Sequence, residues 1–226
     1  MQALGIDVLL KGSNALRLLQ GLWIAVQVSG ISVALSLVLG VLLGIFMMWK
    51  NPLARAVSRL YLEVVRIMPQ LALLYIVFFG ATRVLGINLT AEFSAIIVFT
   101  FWGTAEMGDL VRGALTSTPR HQYESTAALG LTRAQAMRYV ILPQAVRRLV
   151  PAAINLITRM VKTTSLLLMI GVIEMMKVGQ QIIEANRMTS PNAVFGVYGA
   201  IMLLYFAICW PISLFASHLQ KKWNEQ

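Results

Sequence analysis

A single cysteine, Cys209, sits in an apolar run and leaves no partner for an intramolecular disulfide. Only two histidines occur, His121 and His218, both near charged segments, so no cluster with metal-ligand spacing is available. Acidic side chains are scarce: nine Asp and Glu stand against 19 Lys and Arg, a formal net charge of +10. Charge of either sign is thin, at 12% of residues, where soluble domains carry about 25%. No G-x-x-x-x-G-K-[ST] loop is present, so the chain lacks the phosphate cradle that nucleotide hydrolysis of that type needs. No internal repeat is visible, which argues against secondary transporters built from paired repeats. What fills the chain instead is apolar: 58% of residues are hydrophobic and the mean hydropathy is +0.73. That composition belongs to an integral membrane protein, and its apolar runs of helix-spanning length point to an all-α one. A +10 charge would suggest nucleic acid in a soluble chain; here its distribution along the chain matters more, because basic residues mark the cytoplasmic side.

Residues 1–20 are interrupted by Lys11 and Arg17 and read as an N-terminal segment lying on the membrane surface, not as a cleavable signal. Residues 21–226 then read as one transmembrane domain. Its first span, Ile24 to Met48, runs 25 residues without a charge, bracketed by Trp23 and Trp49 at the interfaces. Gly40 and Gly44 form a G-x-x-x-G pair that would let another helix approach closely. A second span is expected from about Leu60 to Gly80, with Glu63, Arg66 and Pro69 in its first half and Arg66 snorkelling to the surface. A loop from Ala81 to Ala91 leads to a third span, Glu92 to Arg112, which holds Glu106 and Asp109. Pro151 opens a fourth segment, too long and too charged for one simple span. It is expected to be a shortened or broken helix followed by a second helix on the outer side. The fifth span, Ala193 to Ser217, carries no charge.

Between the third and fourth spans lies the longest reach that cannot sit in lipid, residues 116–151, with Arg120, Arg133, Arg138, Arg147 and Arg148. Its local grammar predicts two short helices. Thr118 can cap the first, with Pro119 at the first helical position, and Gly130 suits the left-handed residue that ends it. Thr132 with Gln135 makes a capping box for the second, which is expected to run to Leu142 and stop at Pro143. A DNA-reading helix–turn–helix has the same turn, but a bilayer holds both ends of this one. A solvated basic loop and a docking element for a cytoplasmic partner remain.

Five spans place Lys50, Arg55, Arg59, the six arginines of residues 112–148, Lys221 and Lys222 on one side, eleven in all, against Lys11, Arg17, Arg83 and Arg187 on the other. The balance puts the N-terminus outside, and the basic loop and C-terminus in the cytoplasm.

The loop resembles the EAA loop of permease subunits of ABC importers: EAA, three residues, Gly, nine residues, then I-x-L-P. Glu124, Gly130, Val140, Leu142 and Pro143 stand at those spacings, with Ser125 and Thr126 for the two alanines and Val140 for isoleucine. Three further stretches resemble the polar amino-acid permeases of that class. Arg66, Pro69 and Leu71 match R-G-T-P-L-L-V-Q-L. Arg112 matches S-A-Y-x-A-E-I-x-R-G-A, with Asp109 for the glutamate and Glu106 where a tyrosine usually stands. Asn155, Lys162, Thr164, Ser165 and Leu166 match N-x-F-I-x-x-x-K-D-T-S-L, with Thr163 for aspartate.

The resemblance implies a type I importer fold of five core helices in a bacterial cytoplasmic (inner) membrane. It implies a second permease subunit, either another copy or a related chain, two cytoplasmic ATPase subunits holding ATP and Mg, an extracytoplasmic substrate-binding protein, and a polar amino acid as cargo moved by alternating access. The chain itself would be no enzyme and would hold no cofactor. Coupling to the ATPase would fall to Glu124, Ser125, Thr126, Ala127, Gly130 and Pro143. Glu106, Asp109, Arg159, Lys162, Thr164 and Ser165 are candidates for the substrate pathway. Counting in from Arg112 and Pro151, Glu106 and Arg159 lie about 9 and about 12 Å from the cytoplasmic ends of their spans, so they could face one another. They could pair structurally, as could Asp109 and Lys162, or Arg159 could take an α-carboxylate and Glu106 an ammonium group. A secondary transporter or channel for a small charged solute is the rival class, and a structural membrane adaptor a third.

Overall fold

A computed structural model describes residues 5–224, and among them the secondary structure is entirely helical. In chain order the helices are α1 (Asp7–Leu10), α2 (Asn14–Met47), α3 (Pro52–Ile67), α4 (Gln70–Leu85), α5 (Ala91–Thr116), α6 (Arg120–Ala128), α7 (Arg133–Ala136), α8 (Leu142–Thr163), α9 (Met175–Ala185) and α10 (Ala193–Asn224). A π turn over Met137–Ile141 joins α7 to α8, and a 3-10 stretch over Thr164–Ile170 follows α8. Among the described residues, Asn14–Met47, Arg133–Ile170 and Ala193–Trp223 are long and apolar enough to cross a membrane, and the broken pair α3–α4 makes a fourth candidate. Helix α5 has the length, with 26 residues, but Glu106, Asp109 and Arg112 interrupt its second half.

Several expected boundaries move. Helix α2 begins at Asn14, so the end of the 1–20 segment is continuous with the first span; residues 1–4 of that segment lie outside the described residues. The second span is not one helix from Leu60 to Gly80. Asn51 caps α3 by accepting from the Leu53 N–H at 2.9 Å, with Pro52 in the first turn, and α3 then ends at Met68, whose backbone is extended at φ −71°, ψ 127°. Pro69 is the cause, because its ring disfavours a helical conformation in the residue before it. The fourth segment breaks as expected: the 3-10 stretch ends at Gly171 in the left-handed conformation, φ 85°, and α9 starts four residues later. Pro151 does not open that segment. It is buried inside α8, which began nine residues earlier.

The chain forms two compact units, each described by itself. One comprises the segment up to Val33, Pro69–Phe99 and Arg159–Pro211. Its core gathers Leu18 of α2, Met175, Val178 and Ile182 of α9, and Val197 and Ile201 of α10. Here a β-carbon on Gly21 would come within 2.7 Å of the Met175 backbone nitrogen. The start of α9 is fixed by Glu174, which is fully buried and whose carboxylate accepts from the Met176 and Lys177 N–H groups, both at 2.9 Å.

The other unit comprises Ala34–Met68, Thr100–Thr158 and the segment from Ile212. Its core is Met107 and Val111 of α5 with Ala153 and Leu156 of α8. The Gly40–Gly44 pair performs the close approach its spacing suggests: a β-carbon would stand 2.4 Å from Met107 Cβ at Gly40 and 2.6 Å from Val111 Cβ at Gly44. Gly108 answers from α5, where a β-carbon would meet Leu43 Cδ2 at 2.8 Å. Apolar lipid offers little hydrophobic reason for helices to associate, so small residues that admit dense packing carry more of the burden.

Candidate functional site

The loop of residues 116–151 lies wholly in the second unit. Helix α6 spans Arg120–Ala128, within a residue of expectation at each end, but it starts differently. Pro119 is its N-cap and no side chain caps it. Thr118, expected there, is buried and does other work. Arg148 of α8 reaches back, donating from Nη1 to Ser117 Oγ at 2.8 Å, from Nη2 to Thr118 Oγ1 at 3.3 Å, and from Nε to the Gln144 carbonyl at 3.3 Å. Beside it Gln144 donates to Gln122 Oε1 at 3.2 Å. The guanidinium fork thus fastens the root of α6 to α8 across 30 residues of chain, with a charged donor in each bond.

The other end of α6 is a complete Schellman turn. Gly130, at φ 75°, donates to the Ala127 carbonyl at 3.0 Å, and Leu131 donates to the Thr126 carbonyl at 3.1 Å. Thr126 is buried, its hydroxyl donating to the Tyr123 carbonyl at 2.8 Å, so it belongs to the seat of α6 and not to its outer face. Glu124, Ser125, Ala127 and Ala128 are exposed, as is Leu129 at 79%. Glu124 pairs with Arg120 at 3.1 Å, an open i, i+4 bridge of small energetic weight.

Next in the chain, the Thr132–Gln135 capping box forms as its spacing indicates. The helix it opens does not stop at Pro143. It passes through the π turn and continues as α8. A proline ring collides with the carbonyl four residues back in a regular helix; a widened π turn just ahead of Pro143 relieves that collision and lets the helix run on. Pro143 itself is exposed in the first turn of α8.

Of the membrane-embedded candidates, Asp109 is engaged by two arginines. It accepts from Arg66 through Oδ2 and from Arg112 through Oδ1, the latter at 2.6 Å from Nη2 and 3.1 Å from Nε. Arg66 thus reaches from the end of α3 to α5, and Asp109 is satisfied without Lys162. Tyr61 adds a second tie from α3 to α5, donating to the Phe101 carbonyl at 2.6 Å while its ring meets Phe101 edge-on. Glu106 is half-buried on α5 and Arg159 exposed on α8; neither is without a partner. Lys162 is exposed. Thr164 is buried with its hydroxyl donating to the Val161 carbonyl, and Ser165 is half-buried with its hydroxyl donating to the Lys162 carbonyl. Among the described residues no group of three or more His, Cys, Asp or Glu could hold a metal ion.

With this geometry in view, residues 36–225 match the family described as the binding-protein-dependent transport system inner membrane component. The chain belongs to this family. The permease is 31% identical over 207 residues to the probable amino-acid ABC transporter permease protein YckA of Bacillus subtilis (strain 168), covering 91% of this chain and 88% of that one. It is 33% identical over 175 residues to the probable amino-acid ABC transporter permease protein PatM of Vibrio harveyi, covering 76% of each. Among solved structures, a chain from the crystal structure of an amino acid ABC transporter with histidines superposes with a TM-score of 0.83 at 24% identity, covering 92% of this permease and 94% of that chain. A chain of the inward-facing MetNI methionine ABC transporter gives 0.71 at 22%, covering 91% and 95%. The permease thus has the type I importer fold and is an inner-membrane component of a binding-protein-dependent importer.

Three features escaped the sequence: the Arg148 fork, the Arg66–Asp109–Arg112 group and the Glu174 cap. Arg148 and Arg66 find partners by tertiary packing, which no local spacing records, whereas Arg112 meets Asp109 as an i, i+3 neighbour. Glu174 had a faint signal, an acid directly ahead of a helical run, yet glutamate is not among the side chains favoured at an N-cap.

Proposed function

We propose that the permease carries an amino acid into the cytoplasm, driven by ATP that separate ATPase subunits hydrolyse with their Mg, and that α6 is the element those subunits grip. The carrying observation is the mounting of α6: a short helix clamped at its root by Arg148 and closed at its tip by the Gly130 Schellman turn, with small exposed residues Ser125, Ala127 and Ala128 on its outer face. A helix fixed at both ends moves as a body when pushed, and small side chains let a partner's groove approach its backbone closely. Amino-acid cargo is supported by the names of the relatives at 31% and 33% identity and by the presence of both charge signs, Glu106 and Arg159, within the membrane segments. An external binding protein delivers the cargo, and five spans set the N-terminus outside. Two copies of the permease pair with each other, the commonest closed arrangement.

The test is co-expression of the permease with its ATPase subunit alone. The expected result is a copurified complex with two permeases and two ATPases by mass, whose ATP hydrolysis rises when binding protein and amino acid are added. Recovery of the permease without the ATPase would favour a secondary transporter, and a complex that assembles only with a second, related permease would reject self-pairing.

A further inference from the structure

Beside the Arg148 fork, inside the second unit, lies a cavity of about 830 Å³. Ser117 and Gln122 from the root of α6, Gln144, Arg147 and Arg148 from α8, and Trp223 from the end of α10 line it. Among the described residues, none that lines it is acidic. Its two guanidinium groups are in different states. Arg148 spends its donors on Ser117, Thr118 and the Gln144 carbonyl, which fixes its charge at the cavity wall. Arg147 is exposed and makes no hydrogen bond or ion pair with any described residue. Lys221 and Lys222, both exposed, sit in the last turn of α10 next to the lining residue Trp223. A cavity of this size exceeds what a bare phosphate fills and lies within the range of small-molecule sites.

We propose that this cavity binds the phosphodiester headgroup of an anionic phospholipid, with Arg147 as its principal contact and Arg148 as a fixed charge behind it. The chemistry is that of a phosphate anion: guanidinium forks recognise it in two-point fashion, and amide and hydroxyl donors from Gln122, Gln144 and Ser117 surround the same space. A lipid source follows from position. The cavity sits at the end of a helix long and apolar enough to span, with an indole at its edge, the side chain that prefers the headgroup layer. Basic pockets among transmembrane helices on the cytoplasmic side are where anionic headgroups collect. The site rests on the cytoplasmic placement of the loop proposed above. Occupied by a headgroup, it would tie the mounting of α6 to lipid composition, because Ser117 and Gln122 belong both to the cavity wall and to the root of that helix.

The experiment retains the permease in its ATPase complex. Native mass spectrometry in detergent counts bound phosphatidylglycerol and phosphatidylcholine for the wild type, Arg147→Gln and Arg147→Lys. The expected result is preferential retention of phosphatidylglycerol, weakened about fivefold or more in Arg147→Gln and only partly restored in Arg147→Lys, which keeps the charge but not the fork. Equal retention of phosphatidylglycerol in wild type and Arg147→Gln would overturn the site. Displacement by millimolar inorganic phosphate would overturn the lipid source and leave a soluble phosphate. Absence of phosphatidylglycerol from the wild-type complex would overturn the proposal and leave the cavity to the partner protein instead of lipid. Labelling Glu124→Cys in sealed vesicles of each orientation reports the side of the loop separately, so an error in topology is distinguished from an error in the site.

Discussion

Replacing Gly130 isolates one contribution to coupling. A β-carbon at this position meets no atom within 4 Å, so Gly130→Val finds open space where its side chain begins. The backbone penalty is that of holding an L-residue at φ 75°, about 1–2 kcal/mol, with the upper end expected for a β-branched side chain. At about 1.4 kcal/mol per factor of ten, the closed turn loses roughly 5- to 30-fold in population against conformers in which the Gly130–Ala127 and Leu131–Thr126 bonds open. Asparagine tolerates the left-handed region far better, so Gly130→Asn should sit close to wild type. The assay is ATP hydrolysed per amino acid imported by the complex in liposomes with binding protein present. Gly130→Val should remain in the membrane, assemble, and raise that ratio about fivefold or more, while Gly130→Asn should not. Normal uptake at the wild-type ratio by Gly130→Val would refute the claim that the Schellman turn holds the coupling helix rigid.

Arg148→Ala should leave the spans intact but loosen the root of α6, so that ATPase subunits dissociate faster in a surface-binding measurement; an unchanged off-rate would mean the fork is incidental. Asp109→Ala should destabilise the permease more than Arg66→Ala or Arg112→Ala, because one carboxylate serves both arginines. A cycle on Arg66 and Asp109 in detergent unfolding should show non-additivity of about 1 kcal/mol or more, and additive losses would count against the pair. Glu174→Ala removes both acceptors from the start of α9 and should cost about 1–2 kcal/mol, with Glu174→Gln recovering part; equal melting temperatures for all three would contradict the capping role. Glu106→Gln should alter which amino acids stimulate ATP hydrolysis across a panel, and an identical profile would leave Glu106 a purely structural role.

What the sequence disclosed is what depends on near neighbours. Gly130 and the Thr132–Gln135 box are each written in four or five consecutive residues, and both stand in the structure; the break in the fourth segment was signalled only by that segment's length and charge, without a position. The Gly40–Gly44 pair was readable because helical periodicity puts both on one face. Pro69 and Pro143 show the limit. The same residue ends α3 in one place and is carried through a helix in the other, because a π turn can accommodate a proline that a regular turn cannot. Nothing in the letters around Pro143 announces that turn. The Arg148 fork and the Arg66–Asp109 pair join residues 30 and 43 positions apart, so only the packed fold brings them together.

The π turn over Met137–Ile141 also works as a phase setting. Its wider hydrogen-bond pattern houses one residue more than an α-helix would need for the same advance. Everything beyond it on α8 is consequently rotated by about 100° relative to an uninterrupted helix drawn from α7. That rotation brings Gln144 round to Gln122 and Arg148 to Ser117. Deleting a single residue here, such as Tyr139, would close the widened turn and return Pro143 to the collision with the preceding turn that it now escapes. Beyond that local cost the helix would be angularly wrong, with the fork and the cavity-lining face of α8 swung away from the helix they hold. Tolerance of residue identity within the turn and intolerance of its length should therefore go together.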